Sequence, residues 1–134
     1  MEVIEYKNIT ITYCEVGGEK MDTLLRLYFE NSQGLIFFID STIGENIESA
    51  RVQLHKALKY ENKYKVLLIL AHKQQSNGAM DLFEIQQKLQ LSCFSRSNWQ
   101  WKVVPLFIDA NQAISQDEEE KIFYTLDWLV DYCK

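Results

Sequence analysis

The chain has 134 residues, 47% of them hydrophobic and 25% charged, with 19 acidic against 14 basic side chains and a formal net charge of −5. That is the size and composition of one soluble domain with a real core, and its acidity disfavours nucleic acid and anionic membrane surfaces as partners. The longest apolar run, Val66 to Ala71, is too short to span a bilayer.

Val3 to Lys7 reads as an edge strand that turns near Asn8. Ile9 to Val16 is rich in β-branched and aromatic residues, ends at Gly17-Gly18, and reads as a second strand. Met21, Leu24, Leu25 and Tyr28 share a helical face. Leu35 to Ile39 is a continuous apolar run of strand length, as suits a strand covered on both faces. Thr42-x-x-Glu45 reads as a capping box, and Ile47, Ala50, Leu54, Ala57 and Leu58 follow on one helical face. Val66 to Leu70 is a second buried strand, and Asp81 to Leu89 a shorter helix. Val103 to Ile108 is a further strand, with Pro105 out of keeping for a central one. Ser115-x-x-Glu118 is another capping box. It lies in an acidic run, Asp117 to Glu120, that reads as a solvated helix start favoured by the macrodipole. Ile122, Leu126, Leu129 and Cys133 give the last helix its apolar face. Strands alternating with helices indicate a single α/β domain, a three-layer sandwich around a mostly parallel sheet.

Motifs for other chemistries are missing. The two histidines, His55 and His72, lie in different elements without a ligand-spaced neighbour, so no metal is expected, and His55 reads as an exposed helical residue. No Gly-x-Ser-x-Gly elbow is present. The three cysteines, Cys14, Cys93 and Cys133, form no Cys-x-x-Cys pair, which fits a reducing cytosol better than a disulfide framework. Cys14 reads as a small packed thiol. The opening residues show no signal-peptide pattern and carry Glu2 where N-myristoylation needs glycine, so no direct membrane anchor is expected in this chain.

Several segments in order carry a resemblance. Glu5-Tyr6-Lys7-Asn8-Ile9 and then Glu15-Val16-Gly17-Gly18 look like the interswitch strands and Asp-Val-Gly-Gly motif of Arf-family small GTPases. Arg26 to Phe37 follows the family's next segment, and Asp40-Ser41 the end of its following strand. Ala71-His72-Lys73-Gln74-Gln75 stands where the family has Ala-Asn-Lys-Gln-Asp. Ala79-Met80, Asn98-Trp99 and Leu126-Asp127-Trp128-Leu129 continue the match across nearly the whole chain.

The resemblance implies a P-loop small-GTPase-like fold in which the first strand, phosphate loop, first helix and switch I are missing. No Gly-x-x-x-x-Gly-Lys-[Ser/Thr] occurs in residues 1–134. That loop cradles phosphates with backbone amides and gives a hydroxyl to magnesium. Of the family's remaining nucleotide positions, Glu15 stands for the magnesium-supporting aspartate, and Gly17 and Gly18 survive. The water-orienting glutamine is deleted, or Glu19 stands in its place. His72 replaces the asparagine that braces the base loop, and Lys73 keeps a stem able to lie over a base. Gln75 replaces the guanine-selecting aspartate, and a neutral amide lacks its two-acceptor fork. Ala110 matches the third base-contacting loop.

The implied protein surface comprises the interswitch strands and switch II helix, here Tyr6, Tyr13, Leu24, Leu25 and Tyr28. The family tryptophan there is replaced by Cys14. The function expected is an Arf-like, nucleotide-free interaction module related to vesicle and membrane traffic, without GTP hydrolysis or a cofactor. It would be cytoplasmic and peripheral to endomembranes such as the Golgi through protein partners. The alternative is a truncated chain of a true GTP-binding Arf-like GTPase in vesicle transport, which would use GTP or GDP and magnesium.

One expectation concerns the sheet. The family's first strand lies between the strand ending at Val16 and the strand Leu35 to Ile39. Without it, Cys14 and Val16 should meet Phe37 and Ile39, because direct parallel pairing satisfies backbone groups otherwise left bare. A strand donated by a partner or a second copy is the other outcome.

Overall fold

The computed structural model describes residues 2–15, 29–44, 47–59, 64–107 and 116–132. Two strands, β1 (Glu2–Tyr6) and β2 (Ile9–Glu15), form an antiparallel hairpin closed by the Tyr6↔Ile9 pair. Its two-residue loop, Lys7-Asn8, has φ angles of 47° and 69°. Two positive φ values match the twist of the flanking strands, and Asn8 tolerates that region better than most side chains.

Three parallel strands follow: β3 (Gly34–Asp40), β4 (Val66–His72) and β5 (Gln100–Pro105). The order across the five-stranded sheet is β1-β2-β3-β4-β5. β2 and β3 are therefore direct parallel neighbours, with Cys14 opposite Phe37, and no strand stands between them. This is the closed arrangement expected from the sequence; Val16 lies outside the described residues.

Alternation along the strands divides two cores. Leu35, Phe37 and Ile39 of β3 join Leu67, Ile69 and Ala71 of β4 and Val103 of β5 on one face. Helices α1 (Ile47–His55), α2 (Leu82–Lys88) and α3 (Ser92–Arg96) cover that face through Ile47, Ala50, Leu54, Ile85 and Phe94. Ile9, Ile11, Ile36, Leu68, Leu70 and Val104 point to the other face, where α4 (Gln116–Tyr132) lays Leu126, Leu129 and Val130. All seven residues of β4 are buried, the pattern of a strand covered on both sides. Each fully buried Leu or Ile there contributes about 1.5–3 kcal/mol.

Some local expectations are corrected. After β3 the Thr42 hydroxyl and amide both donate to Asp40 Oδ1, so the Asp40 carboxylate closes a turn there, and α1 is described from Ile47. Glu45 and Ser115 lie outside the described residues. Asp81 caps α2, accepting from the Glu84 amide at 2.8 Å. The last strand starts at Gln100, earlier than the apolar run, and ends on Pro105. As the edge strand it tolerates both the polar start and the terminal proline. The short α3 has no counterpart among the sequence expectations, being too short to show periodicity. His55 is half-buried rather than exposed, with Nε2 2.6 Å from the Leu89 carbonyl and its ring edge-on to Phe94 at 5.2 Å. A carbonyl only accepts, so Nε2 carries a proton.

Candidate functional site

The C-terminal ends of β3 and β4 set Asp40 opposite His72. Lys73, with φ 62°, turns the chain out of the sheet and brings its ammonium to 2.9 Å from Asp40 Oδ2. Asp40 Oδ1 accepts from the Thr42 amide at 2.8 Å and the Thr42 hydroxyl at 2.6 Å. Burial pushes this carboxyl up, but the Thr42 hydroxyl, the Thr42 amide and Lys73 together outweigh it and hold the pKa at about 2. The carboxylate is thus ionised and fully engaged at neutral pH.

The loop after Lys73 is tied on three sides. Gln74 Nε2 donates to Ser41 Oγ at 2.5 Å and to the Met80 carbonyl at 2.9 Å. Its backbone amide reaches the Leu106 carbonyl at 3.0 Å. Ser41 in turn donates its amide to the His72 carbonyl at 3.0 Å and accepts from the Met80 amide at 2.8 Å. Gln74 therefore joins the end of β3, the loop and the stretch after β5. The resemblance points to His72 for the bracing position, whereas it is Gln74 whose side chain makes these bonds. The only signal was its long amide side chain between Lys73 and Gln75.

Of the expected nucleotide residues, His72 is buried at the end of β4, Lys73 is committed to Asp40, and Gln75 is exposed. Glu15 is the last residue of β2, paired with Phe38. Gly17, Gly18, Glu19 and Ala110 lie outside the described residues. Of the expected protein-contact residues, Leu24, Leu25 and Tyr28 also lie outside them, and Tyr13 is a β2 residue paired with Ile36.

Tyr6 is half-buried against α4. Its hydroxyl donates to Asp127 Oδ1 at 2.8 Å, and its ring stacks on Phe123 with centroids 6.2 Å apart. Lys7 reaches the same Asp127 oxygen at 2.6 Å. The bonds from Lys7 and Tyr6 hold the Asp127 carboxyl below its usual range, while that carboxylate raises the Tyr6 hydroxyl. The hairpin tip is thereby fastened to the C-terminal helix.

Two shallow surface depressions of about 470 and 570 Å³ share Gln87 and Gln90, and neither is lined by Asp40, Lys73 or Gln75. Among the described residues no cluster of three or more His, Cys, Asp or Glu side chains could hold a metal ion. Nor is any described helix long and apolar enough to cross a membrane.

With the closed sheet and the Asp40–Lys73 corner established, one comparison decides the family. The ADP-ribosylation factor family profile matches residues 1–133. The chain belongs to the Arf family. It is an Arf/Arf-like member of the Ras superfamily of small GTPases, and its mostly parallel five-stranded sheet with flanking helices is consistent with the P-loop small-GTPase-like fold.

Proposed function

We propose that residues 1–134 act as a nucleotide-free, Arf-like interaction module in vesicle or membrane traffic, engaging protein partners from the cytoplasmic side. The observation that carries this reading is the direct β2–β3 pairing, Cys14 opposite Phe37. The family's phosphate loop springs from a strand between these two, and this sheet leaves no gap for one. The base-site residues point the same way. Gln75 offers a neutral amide where two acceptors select guanine, and Lys73 is already paired with Asp40. The described residues therefore fit a guanine base poorly. Protein contact through the hairpin would use Tyr13, with Leu25 and Tyr28 from the segment that follows. Tyr6 would support it from below, through Asp127.

A second reading, in which these residues are part of a GTP-binding Arf-like GTPase, is favoured by the family match across residues 1–133 and by the retained Lys73. Titration calorimetry of the purified 134-residue chain with GTP and GDP in the presence of magnesium separates the two. No heat of binding is expected at micromolar nucleotide. Stoichiometric binding with a low-micromolar dissociation constant would overturn the nucleotide-free reading.

A further inference from the structure

We propose that Thr10, Thr12, Ser32 and Gln33 form a side-chain clamp that locks β2 to β3 and closes the sheet against an inserted strand. The clamp rests on the nucleotide-free reading only for its consequence, which is that the strand bearing a phosphate loop is shut out.

The parallel ladder begins at Ile11↔Gly34 and runs to Glu15↔Phe38. Below its first rung the bonding continues by other means. The Gln33 amide donates to the Thr10 carbonyl at 2.8 Å. The Thr10 amide donates back to Gln33 Oε1 at 2.6 Å. Gln33 thus satisfies both main-chain groups of Thr10, its side-chain carbonyl standing in for a backbone carbonyl that the ladder no longer supplies. Further up β2, the Thr12 and Ser32 hydroxyls lie 2.6 Å apart, in residues 0% and 4% exposed. Water has no access there to replace that bond.

The clamp stands on a fixed base. The Ser32 amide donates to the Phe29 carbonyl at 3.0 Å, and fully buried Phe29 stacks on Trp99 with centroids 5.5 Å apart. Ser32 and Gln33 therefore cannot swing away without disturbing the core. A strand inserted between β2 and β3 would push them apart by a further ~4.8 Å. That single step would break the whole ladder, both Thr10 bonds and the hydroxyl pair together.

Amide hydrogen exchange read by mass spectrometry on the 134-residue chain tests the clamp. Gln33→Met removes the side-chain acceptor and Thr12→Val removes the hydroxyl pair. Each should speed exchange in 10–15 and 34–38 by about five- to tenfold, the loss of roughly one hydrogen bond. Exchange in 66–72 and 100–105 should stay within about twofold of the parent, since a local opening leaves β4–β5 paired. Gln33→Glu keeps an acceptor for the Thr10 amide and should retain the parent's protection. If Thr12→Val does not fold, the half-buried Gln33 pair of variants still decides. Unchanged exchange in Gln33→Met, a uniform rise over the whole sheet, or a Gln33→Glu variant as unprotected as Gln33→Met would each overturn the clamp. GTP titrated into the same parent sample reads the other claim separately: binding there would sink the nucleotide-free reading and leave the exchange pattern to judge the clamp.

Discussion

The Lys73 ammonium, 2.9 Å from Asp40 Oδ2, joins the loop after β4 to the end of β3. In a sheet whose third and fourth strands end side by side, this pair and the Thr42 turn fix where the chain leaves the C-terminal edge.

This pair makes stability depend on acid pH. The Asp40 carboxyl titrates at about 2 in the fold against 3.8 ordinarily. A depressed carboxyl stabilises the fold above its unfolded pKa and loses that contribution as pH falls through its folded one. The pair is partly exposed, with side chains 29% and 32% accessible, so after solvent screening the effect is roughly 1 kcal/mol. Asp40→Asn should lower the unfolding free energy measured by urea titration at pH 7 by that amount. The gap to the parent should narrow between about pH 4 and pH 2. A gap that stays constant over that range would show that the charge is not what matters.

Gln75→Asp alone should leave the chain without measurable GTP or GDP binding. Restoring a two-acceptor fork recreates the base contact only, whereas phosphate contacts carry most of a nucleotide's affinity. Adding Asp40→Asn, which removes the carboxylate charge beside Lys73, should not change that result. Calorimetric binding by either variant at micromolar nucleotide would show that the closed sheet is not the obstacle.

Gly34, the first residue of β3, lies under α4. A Cβ built on it would stand 2.7 Å from Leu129 Cδ2 and 3.2 Å from Leu129 Cδ1. Leu129 is fully buried, so it has little room to yield. Gly34→Ala should cost about 1–3 kcal/mol by overpacking. Leu129→Ala alone should cost about 2–5 kcal/mol through its cavity. The double variant should be more stable than the sum of the two losses, because the new methyl enters the space the leucine leaves. Strict additivity in thermal or urea unfolding would contradict the contact.

His55→Ala should destabilise the fold by about 1–2 kcal/mol, through loss of the bond to the Leu89 carbonyl and the edge contact with Phe94. A helical histidine that was merely exposed would give a change near zero. Urea unfolding of the variant and the parent measures this.

The apolar runs made β3 and β4 legible because strands buried on both faces must be apolar throughout. Ile47, Ala50 and Leu54 marked α1 for the same reason, as one helical face meets the sheet. The start of β5 was hidden, since it lies on an edge where the polar Gln100 and Lys102 flank Trp101 and no continuous apolar run marks it. His55 was misjudged because periodicity tells which face of a helix is apolar but not that a distant carbonyl approaches its polar side. Of the candidate site, the sequence displayed Lys73 and the altered Gln75. It did not display the Asp40 partner, 33 residues away, or the bracing by Gln74.

The sequence by itself determined the family, the alternation of strands and helices, and the identity of residues such as Lys73, Gln74 and Gln75, because these depend on local pattern and residue type. Only the tertiary structure decided what those residues do. Lys73 is bound to Asp40, Gln74 braces the loop after β4, Tyr6 and Lys7 are fastened to Asp127, and β2 lies directly on β3. Each of these joins side chains or strands far apart in the chain. Their geometry is set by how the sheet closes and how the helices lie on it, which no local pattern encodes.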